Sequence, residues 1–361
     1  MMSTDRLNGL LAGWLLAASV LGCRGEPADM RAPGPEDEAV EPARAEYPAS
    51  AVIDLGSDDG PRQLVEGFSL PERVGARFAS WSEGELSTVT MNLRGGAGEY
   101  LVAFLAEPYH RLGTVGVSVA LNGRPLGEAQ LAKGWRAYQL PVSGDRVVAG
   151  RNALAFQYSK TGRPSDFDPR STDVRSLSVR FDQIELAPVT ERAQLAFASK
   201  NALALAALGD GWARDPSDRG TGTWTVAKRA QLTFHLLPPG TQPGSPSYRL
   251  TLTARAPQGV LERNVQLTLN GAPLGSLGFS ATKTAASLDL PAERLSARNE
   301  LWLEFERLAS PAELDAESHD KRLLGLRVFE LDVAPRDASA AAPTRPEAAS
   351  KHPVAEAAAS K

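Results

Sequence analysis

Val117-Ser118-Val119-Ala120-Leu121-Asn122-Gly123-Arg124-Pro125-Leu126-Gly127 is answered later in the chain by Val265-Gln266-Leu267-Thr268-Leu269-Asn270-Gly271-Ala272-Pro273-Leu274-Gly275. In both, apolar residues alternate with polar or small ones until they meet Asn-Gly, the pair that best tolerates the positive φ angles of a tight hairpin turn. The echo runs on downstream. Asn152-Ala153-Leu154-Ala155-Phe156-Gln157-Tyr158 parallels Asn299-Glu300-Leu301-Trp302-Leu303-Glu304-Phe305, and Arg175-Ser176-Leu177-Ser178-Val179-Arg180-Phe181 parallels Arg322-Leu323-Leu324-Gly325-Leu326-Arg327-Val328. Upstream, Gly67-Phe68 with Trp81 corresponds to Gly211-Trp212 with Trp224. Matches in the same order at an offset of about 147 residues mean that the chain holds two copies of one domain, 51–188 and 189–335.

Within each copy the hydrophobic period is two. Leu86, Val89, Met91 and Leu93 in the first, and Leu232, Phe234 and Leu236 in the second, alternate with polar residues as half-buried strands do. Further strands are expected at 100–105, 135–140, 152–158, 248–254 and 300–305. About eight short strands per copy, with turn signals between them, predict an all-β chain of two tandem antiparallel sandwiches, with the jelly roll as the expected topology. The Ala- and Leu-rich stretch 193–208 could form a short helix, but its alignment with 51–65 favours strand, turn and strand. Gly95-Gly96-Ala97-Gly98 lacks the Lys-Ser/Thr and the helix of a phosphate loop and reads as a hairpin turn.

What remains of the 361 residues lies at the ends. An apolar run from Leu10 to Gly22 follows a short polar start and precedes Cys23, the chain's one cysteine. It has the length of a signal-peptide core and is too short to cross a hydrocarbon layer of about 30 Å comfortably. Segment 23–50, with Pro27, Pro33, Pro35, Pro42, Pro48 and the acidic run Glu36-Asp37-Glu38, reads as a disordered linker, and 336–361 as a disordered tail. A single cysteine excludes a disulfide framework and Cys-rich zinc or iron–sulfur sites. A formal net charge of −4 argues against a nucleic-acid partner, which would call for an excess of Lys and Arg.

Val20-Leu21-Gly22-Cys23 resembles a bacterial lipobox, which implies that residues 1–22 are a lipoprotein signal peptide and that Cys23 is acylated as the mature amino terminus. The resemblance implies a lipid-anchored protein of the cell envelope, and Arg24 after the cysteine is similar to lipoproteins sorted to the outer membrane. The paired domains resemble the galactose-binding-like jelly roll found in many carbohydrate-binding modules. The features shared with it are the Gly-aromatic opening, the tryptophan strand, the Leu-Asn-Gly-X-Pro-Leu-Gly hairpin and the endings Leu140-Pro141 and Leu290-Pro291. That resemblance implies a binding module for carbohydrate, and Gly67-Phe68-Ser69-Leu70-Pro71-Glu72 makes Glu72 a candidate contact; the same fold also hosts modules that bind proteins.

No catalytic constellation is evident. His110, His235, His319 and His352 show no metal-ligand spacing, and no Gly-X-Ser-X-Gly nucleophile turn occurs, so the chain reads as non-enzymatic. Asp58, Asp59, Asp166 and Asp168 sit near opposite ends of the first copy and could supply oxygen ligands to a structural calcium, although aspartates are also common in loops for their turn chemistry. Aromatic residues are only 6% of the chain, so their placement matters for sugar binding, in which a ring packs on the C–H face of a pyranose. Trp81 and Trp224 occupy equivalent places at the start of matched strands and read as shared core or end-plug residues rather than ligand contacts. Trp302 falls on the outward phase with Glu300 and Glu304 where the first copy has Ala155, and serves either to pack against the other domain or as a sugar platform. Tyr109-His110-Arg111 forms a loop cluster able to stack and hydrogen-bond, and Trp135 and Tyr138 fall on opposite faces of one strand.

Overall fold

In a computed structural model of the protein, which describes residues 47–57, 65–74, 77–96, 98–197, 201–213, 222–237 and 247–336, both Asn-Gly pairs turn the chain as their chemistry demands. Asn122 and Asn270 adopt φ of 52° and 50°, followed by Gly123 and Gly271 at 75° and 81°. Each asparagine then ties its hairpin to the rest of its sandwich. Asn122 Nδ2 donates to Arg146 O and Asn152 Oδ1, while its Oδ1 accepts from Ala153 N; Asn270 makes the same bonds to Arg294 O, Asn299 Oδ1 and Glu300 N. Arg146 and Arg294 donate back to Pro125 O and Pro273 O.

The first sandwich comprises β1 (Ala51–Asp54), β2 (Val65–Glu66), β3 (Glu72–Val74), β4 (Arg77–Glu83), β5 (Leu86–Leu93), β6 (Glu99–Pro108), β7 (Val115–Leu121), β8 (Arg124–Leu131), β9 (Arg136–Ser143), β10 (Gly150–Tyr158), the helical turn α1 (Pro164–Phe167) and β11 (Leu177–Pro188). One sheet runs β3-β4-β11-β6-β9, with β1 also beside β11; the other runs β2-β5-β10-β7-β8. The second sandwich comprises β12 (Ala193–Ala196), α2 (Ala202–Ala206), β13 (Thr223–Trp224), β14 (Arg229–His235), β15 (Tyr248–Arg255), β16 (Arg263–Leu269), β17 (Ala272–Phe279), β18 (Thr284–Leu290), β19 (Arg298–Glu304), α3 (Pro311–Leu314) and β20 (Arg327–Pro335). Its sheets run β12-β20-β15-β18, with β13 beside β20, and β14-β19-β16-β17. The order β5-β10-β7-β8 repeats as β14-β19-β16-β17, and β11-β6-β9 as β20-β15-β18. Successive strands keep crossing between sheets, so the chain is all-β, with two tandem antiparallel sandwiches of jelly-roll kind.

Alternation places one apolar row per strand between the sheets. Phe104, Phe156, Phe181 and Leu154 fill the first core, and Phe234, Phe279, Leu250, Leu303 and Leu331 the second, all essentially inaccessible to water. Burial of each such side chain is worth about 1.5–3 kcal/mol.

Two sequence expectations are corrected. The described residues of stretch 193–208 form the strand β12 and the helical turn α2, because Asn201 caps the turn by accepting from Ala204 N and alanine is the best helix former. The Gly95–Gly98 region is not a hairpin turn: β5 and β6, on either side of it, belong to opposite sheets, so it carries the chain across the sandwich. Gly144 makes room for this segment's backbone, since a Cβ there would stand 2.2 Å from Gly98 O.

Helix α2 also joins the two sandwiches. It packs on β6, β9 and β11 of the first copy, with Ala202 N donating to Gln183 Oε1 and Leu203 N to Glu185 Oε2. Beneath it, Ala103 and Leu105 alternate away from the first core and are nonetheless buried. Beside it, His235 Nε2 lies 3.4 Å from Gln139 Nε2.

Replacing Asn270 by Ala puts a Cβ without compensating bonds at a left-handed φ and strips Asn299 of a buried partner. A loss of about 2 kcal/mol is expected in urea unfolding. Burial, then Arg298 across the ladder, holds the His235 imidazole below its usual value of about 6.5. The unfolded chain therefore binds more protons around and below that pH, so stability contributed here is present at neutral pH and declines on acidification. His235→Gln should flatten that part of the pH–stability curve in thermal unfolding between pH 7 and 5.

Candidate functional site

Strand β19 buries Leu301 and Leu303 and turns Glu300, Trp302 and Glu304 outward. Trp302 stands opposite Gln231 of β14 and Thr268 of β16, in the middle of the outer sheet face. Its Nε1 donates to Glu300 Oε1 at 2.5 Å, and the Arg229 guanidinium lies 4.0 Å from the ring centroid while Arg229 Nε holds Glu304 at 3.0 Å. A half-buried indole is thus fixed in place among amide, hydroxyl and carboxylate groups. All these neighbours belong to the second sandwich, whereas the contact with the first runs through α2 and His235.

The corresponding face of the first sandwich, with Ala155 at the Trp302 position, carries a polar groove of about 440 Å³ floored by Gly116 and edged by Ser118, Glu128, Gln130, Gln157 and Lys160. Gly116 opens it: a Cβ there would approach Gln130 Nε2 and Ser159 Oγ to 3.2 Å.

On the other outer face of that sandwich, Trp81 of β4, Arg180 of β11, Glu107 of β6 and Trp135 just before β9 form a transverse row. Arg180 lies opposite both Trp81 and Glu107, and its guanidinium sits 5.2 Å from each of the two indole centroids. Arg180 pairs with Glu107, and Arg77 lies 5.4 Å from the Trp135 ring and forms a buried ion pair with Asp182. Each such cation–π contact is worth about 0.5–1 kcal/mol at an exposed site and more where water is excluded. Trp81 and Trp224 are both buried, but outside the apolar layer between the sheets: Trp81 clusters with Tyr109 and Leu177 at the end of the sandwich.

The remaining sequence candidates separate. Tyr109 is buried edge-on against Trp81 at 5.8 Å, so the expected ligand-facing ring is instead a wedge at the end of the sandwich. Trp81, Leu177 and Phe167 enclose it, and a phenol ring gains more from burial than from a solvated loop. His110 and Arg111 beside it are exposed. Tyr138 turns inward, stacks on Phe104 at 5.5 Å and accepts a hydrogen bond from Ala132 N; burial raises its pKa. Trp135 turns outward, so the two do occupy opposite faces. Glu72 is held by Arg175, which also binds Asp173 at 2.7 Å and thereby lowers that carboxyl's pKa, fastening edge strand β3 to the loop before β11. Asp166 is exposed, Asp168 pairs with Arg170 at 3.2 Å, and Asp58 and Asp59 lie outside the described residues, as does Cys23. Among the described residues no group of three or more His, Cys, Asp or Glu is arranged to hold a metal ion.

Sequence reasoning overlooked the arginines. Arg180 and Arg327 stood at matching places in the quoted repeat, on the outward phase between adjacent apolar core positions, which was signal enough to examine what they face.

No protein-family model matches the chain, and no curated protein does. Among solved structures, the C-terminal CBM6 of LamC, a laminarinase of Zobellia galactanivorans, aligns at 14% identity over 38% of this chain and 98% of its own, with a TM-score of 0.26. The CBM22-1-CBM22-2 tandem of Paenibacillus barcinonensis Xyn10C aligns at 11% identity over 81% of this chain and 100% of its own, with a TM-score of 0.27. A family 35 carbohydrate-binding module of Clostridium thermocellum gives 15% identity, 38% and 98% coverage and a TM-score of 0.25. At these scores nothing about ligand or residue role passes from them to this chain.

Proposed function

We propose that this chain is a non-catalytic lipoprotein of the cell envelope that binds carbohydrate, with Trp302 as its principal platform. The observation that carries this reading is the preorganised indole in the middle of a sheet face. Its Nε1 is committed to Glu300, and amides, hydroxyls and carboxylates able to bond sugar hydroxyls surround it. A pyranose gains by laying its apolar C–H face on a ring that is already immobilised, since less side-chain entropy is lost on binding. The polar groove of the first sandwich offers hydrogen bonds without a platform, suiting it to a supporting role along a longer chain. A second reading, a scaffold for an envelope enzyme or transporter, uses the same outer faces for a protein partner.

Cys23 and its lipobox support the anchor: two or more acyl chains hold a protein at a bilayer effectively permanently, and the linker 23–50 would let the sandwiches stand off from the surface. Outer-membrane placement follows from Arg24 as part of the same proposal.

On a glycan array the chain starting near Tyr47 should bind polysaccharide, and Trp302→Ala should weaken that binding about tenfold or more, in line with the loss of a stacked aromatic ring. Absence of glycan binding, together with a single specific partner in membrane crosslinking, would replace this reading by the scaffold. Cys23→Ser should move the full chain from the membrane to the soluble fraction; retention of a correctly processed variant in the membrane would remove the lipid anchor from the proposal.

A further inference from the structure

The polar groove of the first sandwich is built from two transverse rows of residues on β8, β7 and β10. Glu128, Ser118 and Gln157 stand side by side in the first row. In the second, Gln130 lies opposite Gly116, whose N donates to Ser159 Oγ at 2.8 Å just past the end of β10. Gly116 leaves the gap between them, so the space of about 440 Å³ lies over backbone and is walled by polar groups. Lys160 closes one end, its Nζ fixed on Thr114 O at 2.9 Å.

The lining sorts into groups already committed and groups open to a ligand. Ser118 donates to Glu128 Oε1 at 3.3 Å, Ser159 Oγ accepts from Gly116 N, and Lys160 holds a carbonyl. Gln130 and Gln157 are exposed, and among the described residues neither side chain hydrogen-bonds another group of the protein. Each of these amides carries donors and an acceptor together. Glu128 and Lys160 cancel in formal charge, and Tyr158, the aromatic residue that borders the groove, turns its ring into the core. Such a lining suits a neutral ligand held by hydroxyl groups. An indole packs on any pyranose that offers enough C–H surface, whereas a hydrogen-bonding groove leaves its own polar groups unpaired when one hydroxyl points the wrong way.

The second copy fills the same space. By the repeat, Asn264 stands at the place of Gly116, and it lies opposite Gly278 of β17. A Cβ at Gly278 would come within 2.8 Å of Glu262 Oε1 and 3.2 Å of Asn264 Oδ1, so the chain's own side chains occupy there what is open in the first copy. Groove and platform therefore belong to different copies.

We infer that the groove selects the sugar: it binds a neutral pyranose edge-on by its hydroxyl pattern, read by Gln130, Gln157 and Glu128, while Trp302 supplies affinity with little discrimination. The inference rests on the reading of the chain as a carbohydrate-binding protein and assigns its selectivity to the face that carries no platform.

Calorimetric titration of the purified chain with the hexasaccharides of β-1,4-linked glucose, mannose and xylose tests it. The first two differ in the configuration of one hydroxyl per ring, and the third lacks the hydroxymethyl group. Wild type should prefer one of the three by about tenfold or more. Gly116→Val fills the groove with a residue that suits a strand, its Cβ meeting most closely the flexible ends Gln130 Nε2 and Ser159 Oγ. It should bring the three affinities within about threefold of one another, as expected once the hydrogen-bonding contacts are blocked. Should Gly116→Val misfold, the Gln130→Ala, Gln157→Ala pair removes the same contacts without touching the backbone. Trp302→Ala should weaken binding of all three and keep the wild-type order. Unchanged preference in the folded groove variants, loss of preference in Trp302→Ala, or a wild type that binds all three equally overturns the inference. Binding to none of the three overturns it as well; the carbohydrate reading falls with it only when the glycan array is also blank.

Discussion

A two-residue turn at Asn-Gly is the constraint from which each sandwich follows. Its left-handed backbone can be filled cheaply only by asparagine and glycine. The asparagine side chain then does what backbone geometry alone cannot: by bonding Ala153 N or Glu300 N it sets the hairpin β7–β8 or β16–β17 in register with the strand beside it, β10 or β19. A slip of one residue there would turn Leu154 and Phe156, or Leu301 and Leu303, out of the core, since side chains alternate faces with a period of two. Asn152 and Asn299, fully buried, are tolerated because the same network satisfies them.

This explains why so much of the fold could be read directly. The residues that fix register are also those with a strong local signature, and they occur twice, so the second copy corroborates the first. The all-β class, the alternating core and the outward phase of Trp302 followed from that pattern. What escaped was non-local. Nothing local tells that Gly95 and Gly96 link opposite sheets rather than one hairpin, because a glycine run permits either. Stretch 193–208 took its helical turn from Asn201 and from a surface supplied by the other copy, which alignment with 51–65 could not show.

The candidate site was less legible for the same reason. A residue's phase is written locally, but its partners come from strands far away in sequence. Tyr109 looked like a ligand contact until Trp81 and Phe167 closed around it. Trp135 was placed correctly but without the guanidiniums that stack on it. Between the sheets the duplicated residues are held to apolar types by packing; on the outer faces they are not, and that is where Ala155 and Trp302, or Gly116 and Asn264, have parted.

Helix α2 gives the duplication an unexpected outcome. By sequence it opens the second copy, but by packing it is a lid for the first, covering Ala103 and Leu105. Cutting the chain at the repeat boundary near 189 would leave one fragment with a greasy bald spot and the other with a loose plug. The two copies have thus become partners in one indivisible inheritance: neither can be shuffled into another gene alone without taking part of its twin along.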